Sequence, residues 1–217
     1  MRFSGFPPSG PRLYADLAAD NTKESFRALK DVYERDVQAP MTALARELSE
    51  EFGEVQVLRP QRDTRMSHDK SPYKTYQGAW GDIAPCLGYW IHLDADGLYA
   101  SGRFYPYAAQ QIARYRAAVD DEHSGGHLAR IVEELRRSGF LVGGDRLRTR
   151  PRGVPADHPR LELLKHRKLD VGRRYATGGP LHTRQVLELV RDTWRAVRPL
   201  LDWCAEHRVN SLEGNDR

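Results

Sequence analysis

The chain has 217 residues, with 34 basic and 30 acidic side chains, and carries a formal net charge of +4. That length suits one large domain or two small ones and buries about 70% of the unfolded surface, so no disulfide or metal staple is needed. Apolar residues make up 40% and charged residues 29%, the profile of a rather polar globular protein. The charge excess is too mild to argue for nucleic acid by itself, because clustering matters more than the sum. Cys86 and Cys204 form neither a CxxC pair nor a disulfide framework, which fits a reducing compartment. No apolar run approaches the roughly 20 residues that span a bilayer, and the start, Met-Arg-Phe-Ser-Gly-Phe-Pro-Pro, has no signal-peptide core. The expectation is a cytoplasmic protein with no membrane partner.

In chain order, Phe3, Phe6 and the Pro7-Pro8 pair suggest an arm that docks its aromatics. A short helix is expected over 11–19, with Leu13, Tyr14 and Leu17 on one face. Asn21, with Glu24 three residues on, reads as the cap of a longer helix bearing Phe26, Leu29, Tyr33 and Val37. Pro40 should break or restart it, and Met41, Leu44, Leu48 and Phe52 define the next segment, which ends at Gly53. Val55 to Leu58 begins a strand. Two alternating runs, 88–93 and 98–105, flank Asp94-Ala-Asp-Gly97 and predict a hairpin. A helix over 107–119 follows Pro106. Gly125-Gly126 should interrupt the chain before a helix at 127–138. A short strand near 145–150, a helix at 159–166, a strand at 168–175, a turn at Gly178-Gly179-Pro180 and a last helix over 182–206, kinked at Pro199, complete the chain. Helices at both ends of a hairpin-based middle predict an α+β fold, a mainly antiparallel sheet with helices packed around it. No stretch resembles an interdomain linker, so a single domain, 1–217, is expected.

Chemistry concentrates at 62–74, Arg-Asp-Thr-Arg-Met-Ser-His-Asp-Lys-Ser-Pro-Tyr-Lys. Arg62, Arg65, Lys70 and Lys74 supply cations, Asp63 and Asp69 carboxylates, and Ser71-Pro72 a bend; the segment has almost nothing apolar to bury. Arg offers an oxyanion a planar fork and Lys a point charge. Two readings stand: a solvated network in which Asp63 and Asp69 pair with neighbouring cations, or a site for an anion. If the segment is extended, Asp63 and Arg65 share one face while Arg62 and Thr64 take the other, so not every cation can meet one ligand.

A second basic region, 146–174, holds ten Arg and Lys against Asp157, Glu162 and Asp170. No P-loop, GxGxxG, GxSxG or HExxH pattern is present. Asp94-Ala-Asp-Gly97 is too short for an EF-hand and reads as a turn. His123 and His127 are separated by the Gly pair, which argues against a helical metal pair. His158 and His166 flank a short helix and suit helix-end hydrogen bonds better than a metal. Cys86 reads as a packing thiol. Neither a metal nor a cofactor is expected. Tyr89, Trp90, Tyr99, Phe104, Tyr105 and Tyr107 could form a stacking platform for single-stranded nucleic acid, though aromatics are also favoured on half-buried sheets.

The run from Arg62 through Asp63, Arg65, Ser67, Asp69, Lys70, Ser71, Pro72 and Tyr73 to Lys74 resembles the signature of an uncharacterised, mainly bacterial family of conserved hypothetical proteins, domain of unknown function 2461. Gly88 to Leu93, Gly102 through Tyr105-Pro106 to Arg116, and Pro151-Arg152-Gly153 through Asp157-His158-Pro159 to Lys165 resemble further parts of it. Met66 stands where the family usually has Phe, and the Trp usual before Phe26 is missing; both look like packing variants. The resemblance implies a one-domain α+β fold and no activity, and it favours a site at 62–74, because packing does not explain a polar signature.

The leading expectation is a small phosphate- or carboxylate-bearing ligand held by Arg62, Arg65, Lys70 and Lys74, with hydroxyls from Ser67 and Tyr73. Asp63 and Asp69 would orient the cations, or one would act as a base if its pKa were raised. Arg116, His158 and Lys165 are secondary candidates, His158 also for catalysis. Phosphoryl or acyl transfer would be the natural reaction classes, but no nucleophile–base pair is legible. The alternative is a nucleic-acid-binding or protein-interaction module using 146–174.

Overall fold

The computed structural model describes residues 2–65 and 68–211. The architecture is α+β. One antiparallel sheet has the strand order β1-β2-β3-β4-β6-β5, with β1 Val55–Val57, β2 Gln77–Ala84, β3 Leu87–Asp94, β4 Gly97–Phe104, β5 Leu141–Gly143 and β6 Leu169–Ala176. The helices are α1 Ser9–Ala19, α2 Lys23–Val32, α3 Ala39–Phe52, α4 Ala109–Asp120, α5 Glu122–Arg137, α6 Leu161–Leu164 and α7 Gln185–Glu206. Contacts group the described residues into two compact units. The first draws on Met1–Gly81, Trp90–Ala100 and Arg174–Asp192, the second on Asp82–Tyr89, Ser101–Arg173 and Thr193–Arg217.

In the first unit the arm docks as expected. Phe3 and Phe6 are buried against each other, ring centroids 5.4 Å apart. The Phe3 amide donates to Glu47 Oε1 at 2.7 Å, and Arg184 bonds both Glu47 and the Phe3 carbonyl. Gly5 has φ +117°, and a Cβ there would lie 2.4 Å from the His182 carbonyl carbon, so only glycine fits. Pro40 does not break the helix: α2 continues into α3 through a π-helical stretch, Tyr33–Gln38. The wider turn, with Ala39 N–H bonding Glu34 O, absorbs a residue that lacks an amide hydrogen and would crowd an α-helical carbonyl. The cap of α2 is Thr22, whose hydroxyl accepts from Ser25 N–H, rather than Asn21.

The second unit is built around Trp203, Tyr115 and Phe104. Trp203 Nε1–H donates to Ser124 O at 2.9 Å, and the Tyr115 hydroxyl to Leu163 O at 3.0 Å. Gly102 lets α7 approach β4 closely, since a Cβ would sit 2.8 Å from Val197 Cγ2. The Gly125-Gly126 pair lies inside α5, which starts at Glu122 under an Asp121 cap. Gly125 is required by contact: its Cβ would be 2.0 Å from Val119 O. The strand expected near 145–150 is replaced by the earlier β5 and a lone bridge between Arg146 and His166. Strand β2 was not anticipated, because Gly78 and Gly81 dilute its alternation.

Candidate functional site

The 62–74 segment hangs from an irregular extension of the β1–β2 pair. The ladder runs from Val55 opposite Gly81 to Val57 opposite Ala79, and Leu58 N–H bonds Gly78 O. Beyond it, Lys74 N–H bonds Pro60 O, Gln61 bridges Tyr73, and Arg62 N–H bonds Pro72 O. Between the two registers Arg59 alone faces Thr75, Tyr76 and Gln77, a bulge that re-aims the side chains beside it. Buried Gln77 closes the bulge. Its amide donates to Leu58 O at 2.5 Å and Gly78 O at 3.0 Å, and its oxygen accepts from the Tyr33 hydroxyl at 2.7 Å.

Asn21 secures the returning strand. Its side chain donates to Tyr73 O at 3.0 Å and accepts Tyr73 N–H at 3.2 Å, acting as a short strand edge. The Tyr73 ring stacks on Phe26, centroids 3.9 Å apart and planes 14° off parallel. Tyr73 therefore anchors the loop through its ring and backbone.

The loop cations divide into two sets. Arg65 is 84% exposed and forks onto Asp63 at 3.0 and 2.6 Å, while Lys70 Nζ donates to Thr64 O at 2.9 Å. Arg62 Nη2 meets Asp69 at 3.1 Å and Tyr73 O at 3.4 Å, and its Nε is buried with no hydrogen-bond partner. Lys74 Nζ donates to Arg59 O at 2.7 Å. Burial holds the Lys74 ammonium below its ordinary pKa, and the Arg59 and Arg62 charges push it further down. Lys74 thus bonds the Arg59 backbone and feels the charges of Arg59 and Arg62; Arg59 lies just ahead of the signature and so carries no signal in it.

Both carboxylates are held below their usual range. Asp63 is lowered by hydrogen bonds from Arg65, and Asp69 by hydrogen bonds from Ser71. Neither has the raised pKa that base catalysis at neutral pH calls for. Ser67 lies outside the described residues.

Next to this segment the sheet carries an aromatic face. Tyr76 meets Trp90 and His92 edge-on, at 6.0 and 5.5 Å between centroids. Trp80 lies 6.3 Å from Trp90. Trp90 Nε1–H donates to His92 Nδ1 at 2.8 Å, so Nε2 carries the imidazole hydrogen and donates to Asp94 Oδ2 at 3.0 Å. Arg174 completes the chain, donating to Asp94 Oδ1 at 2.7 Å. Burial raises the Asp94 pKa, but the bonds from His92 and Arg174 outweigh it and hold the carboxyl down to about 2. Of the two readings of the hairpin aromatics, packing on the sheet fits the structure and an exposed stacking platform does not. Trp90 and Tyr99 are buried, Tyr89 stacks on Trp194 and Phe104 on Tyr115; Tyr105 and Tyr107 alone of that set are exposed.

The family described as conserved hypothetical protein DUF2461 matches residues 12–203. The chain belongs to it. No curated protein and no solved structure matches. The DUF2461 match takes in Asn21, the whole 59–80 region and the aromatic face, and leaves the Phe3–Phe6 arm outside.

The secondary candidates of this DUF2461 chain lie in the second unit, each with a partner there. Arg116 Nε donates to Leu164 O at 3.2 Å, and Lys165 to Glu162 at 2.6 Å. His158 accepts Arg160 N–H at Nδ1 and faces Asp120 through Nε2, the helix-end role expected of it. His158 also lines a groove of about 740 Å³ between α5 and α6, where Arg130, Arg136 and Arg137 alternate with Glu133 and Glu134. Much of the basic 146–174 region is engaged internally. Arg146 pairs with Glu162, Arg167 with Asp145, Arg174 with Asp94, and Arg160 bonds the Val119 and Asp120 carbonyls at the end of α4. Among the described residues no group of three or more metal-ligating side chains occurs, and no helix is long and apolar enough to cross a membrane.

Proposed function

We propose that this DUF2461 protein binds a small anion, a phosphate or carboxylate group, between Arg59, Arg62 and Lys74. The supporting observation is the state of Lys74: half-buried, bonded to a carbonyl, and pressed by two neighbouring guanidinium groups. Like charges repel most where water is partly excluded, and an anion placed among them converts that repulsion into attraction. Arg62 adds a buried, unpartnered Nε–H. Asp69, itself exposed, is the carboxylate paired with Arg62, and an incoming oxyanion competes with it for the guanidinium. Arg65 and Lys70 steer anions from the outer loop without lining the same point.

Calorimetric titration with inorganic phosphate tests the reading. Wild type should bind, Lys74→Met and Arg62→Ala should each weaken binding at least about tenfold, and Arg65→Ala should leave the affinity within about twofold. Equal affinity in wild type and Lys74→Met overturns it. So does a steep power-law loss of affinity with salt in place of modest screening, since that marks a polyanion spread over the surface.

A further inference from the structure

Resting on the anion reading, we infer that the ligand is a phosphate monoester of a planar aromatic group, of the nucleoside monophosphate class, with its ring on the Tyr76–Trp80 side of the sheet. Lys74 and Tyr76 are two residues apart, so their Cα atoms lie within about 7 Å. The bulge that collects Arg59, Arg62 and Lys74 also delivers Tyr76 onto Trp90 and His92. A phosphate at the cations thus has an aromatic wall within the reach of one sugar-sized spacer.

Gly78 gives the wall its form. A Cβ there would lie 2.4 Å from Trp90 Cη2, so the bare backbone lets the Trp90 indole lie down across β2. Tyr76 and Trp80, on either side of Gly78 along the chain, both contact that indole and are half-buried, each keeping some surface in solvent. Partly exposed aromatic rings beside a buried one form the kind of surface on which planar ligands stack. The far end of the wall offers no second anion site, because the Arg174 charge is met by Asp94 and the His92 nitrogens are both bonded. The charge of the ligand therefore sits at one end, which favours a monoester over a molecule charged at both.

Calorimetry and tryptophan fluorescence with three probes decide the matter: inorganic phosphate, adenosine 5′-monophosphate and adenosine. Adenosine 5′-monophosphate should bind wild type at least about tenfold more tightly than phosphate, as one added stacked base implies. Trp80→Leu and Tyr76→Leu should erase that advantage and leave phosphate affinity unchanged, with thermal melts verifying that both variants fold. If phosphate binds and the nucleotide binds no more tightly, the aromatic inference is overturned while the anion reading survives. If Trp80→Leu weakens both probes equally, the ring does not lie on this wall and the inference again fails. If neither probe binds wild type, both fall together.

Discussion

Asn21 and Tyr73, separated by 52 positions, are joined by two hydrogen bonds through which one side-chain amide satisfies both backbone groups of the tyrosine. Since the Tyr73 ring simultaneously stacks on Phe26, the base of the charged loop is tied to the start of α2 from two directions. Asn21→Ala strands the half-buried Tyr73 N–H and leaves its C=O only the long Arg62 bond, and is expected to cost about 1–3 kcal/mol. Thr22→Ala removes only the helix cap, for about 1 kcal/mol. Urea denaturation gives both values. Phosphate titration separates the roles, because only the Asn21 variant should loosen the loop and weaken anion binding.

Acid should release the arm. Hydrogen bonds from Arg184 chiefly hold the Glu47 pKa down to about 2, against an ordinary value of 4.5. A carboxylate with a depressed folded pKa stabilises fully above its unfolded value, and that contribution is lost as pH falls towards the folded one. The arm should therefore stay docked at neutral pH and weaken between about pH 4.5 and 2. Limited proteolysis near Phe3 and Phe6 across that range would report it. Glu47→Gln should flatten the pH dependence.

Gly125→Ala tests the close approach of α4 to α5. The added carbon meets the Val119 backbone carbonyl, which cannot swing away as a side-chain tip can. A loss of about 1–3 kcal/mol is expected in thermal or urea melts. Gly126→Ala meets nothing within 4 Å and should be neutral or slightly stabilising, since alanine is the better helix former.

The two thiols should be inert. Burial pushes Cys86 up to about 12 and drives Cys204 higher still. A disulfide reagent at pH 8 should label neither within minutes in the native protein and both on unfolding. Fast labelling of Cys86 in the folded state would contradict this.

The parts of the fold that read clearly from sequence were those whose signals are local. The Asp94–Gly97 turn announces its hairpin, and the aromatic arm announces its docking. Elements set by distant partners were harder to read. Gly125 looks like a helix breaker until Val119 is seen against it, and Asn21 looks like a cap until Tyr73 arrives. Likewise, β2 carries glycines where Trp90 needs room, so its alternation is hidden. At the candidate site, alternation puts Arg62 and Arg65 on different faces, and the two arginines pair with different carboxylates, Asp69 and Asp63. The bulge that recruits Arg59 depends on Gln77 reaching Leu58 and Tyr33, which no local pattern encodes.

The Gln77 plug has a practical consequence. One buried amide tied to Leu58, Gly78 and Tyr33 fixes a single register, so the chain cannot slip to even out the bulge. Residues 63–65 and 68–71 then lie beyond a stem whose pairing is set beneath them. They form an exchangeable cassette: grafted with another sequence of equal length, the stem should keep its pairing while the charge it presents is rewritten.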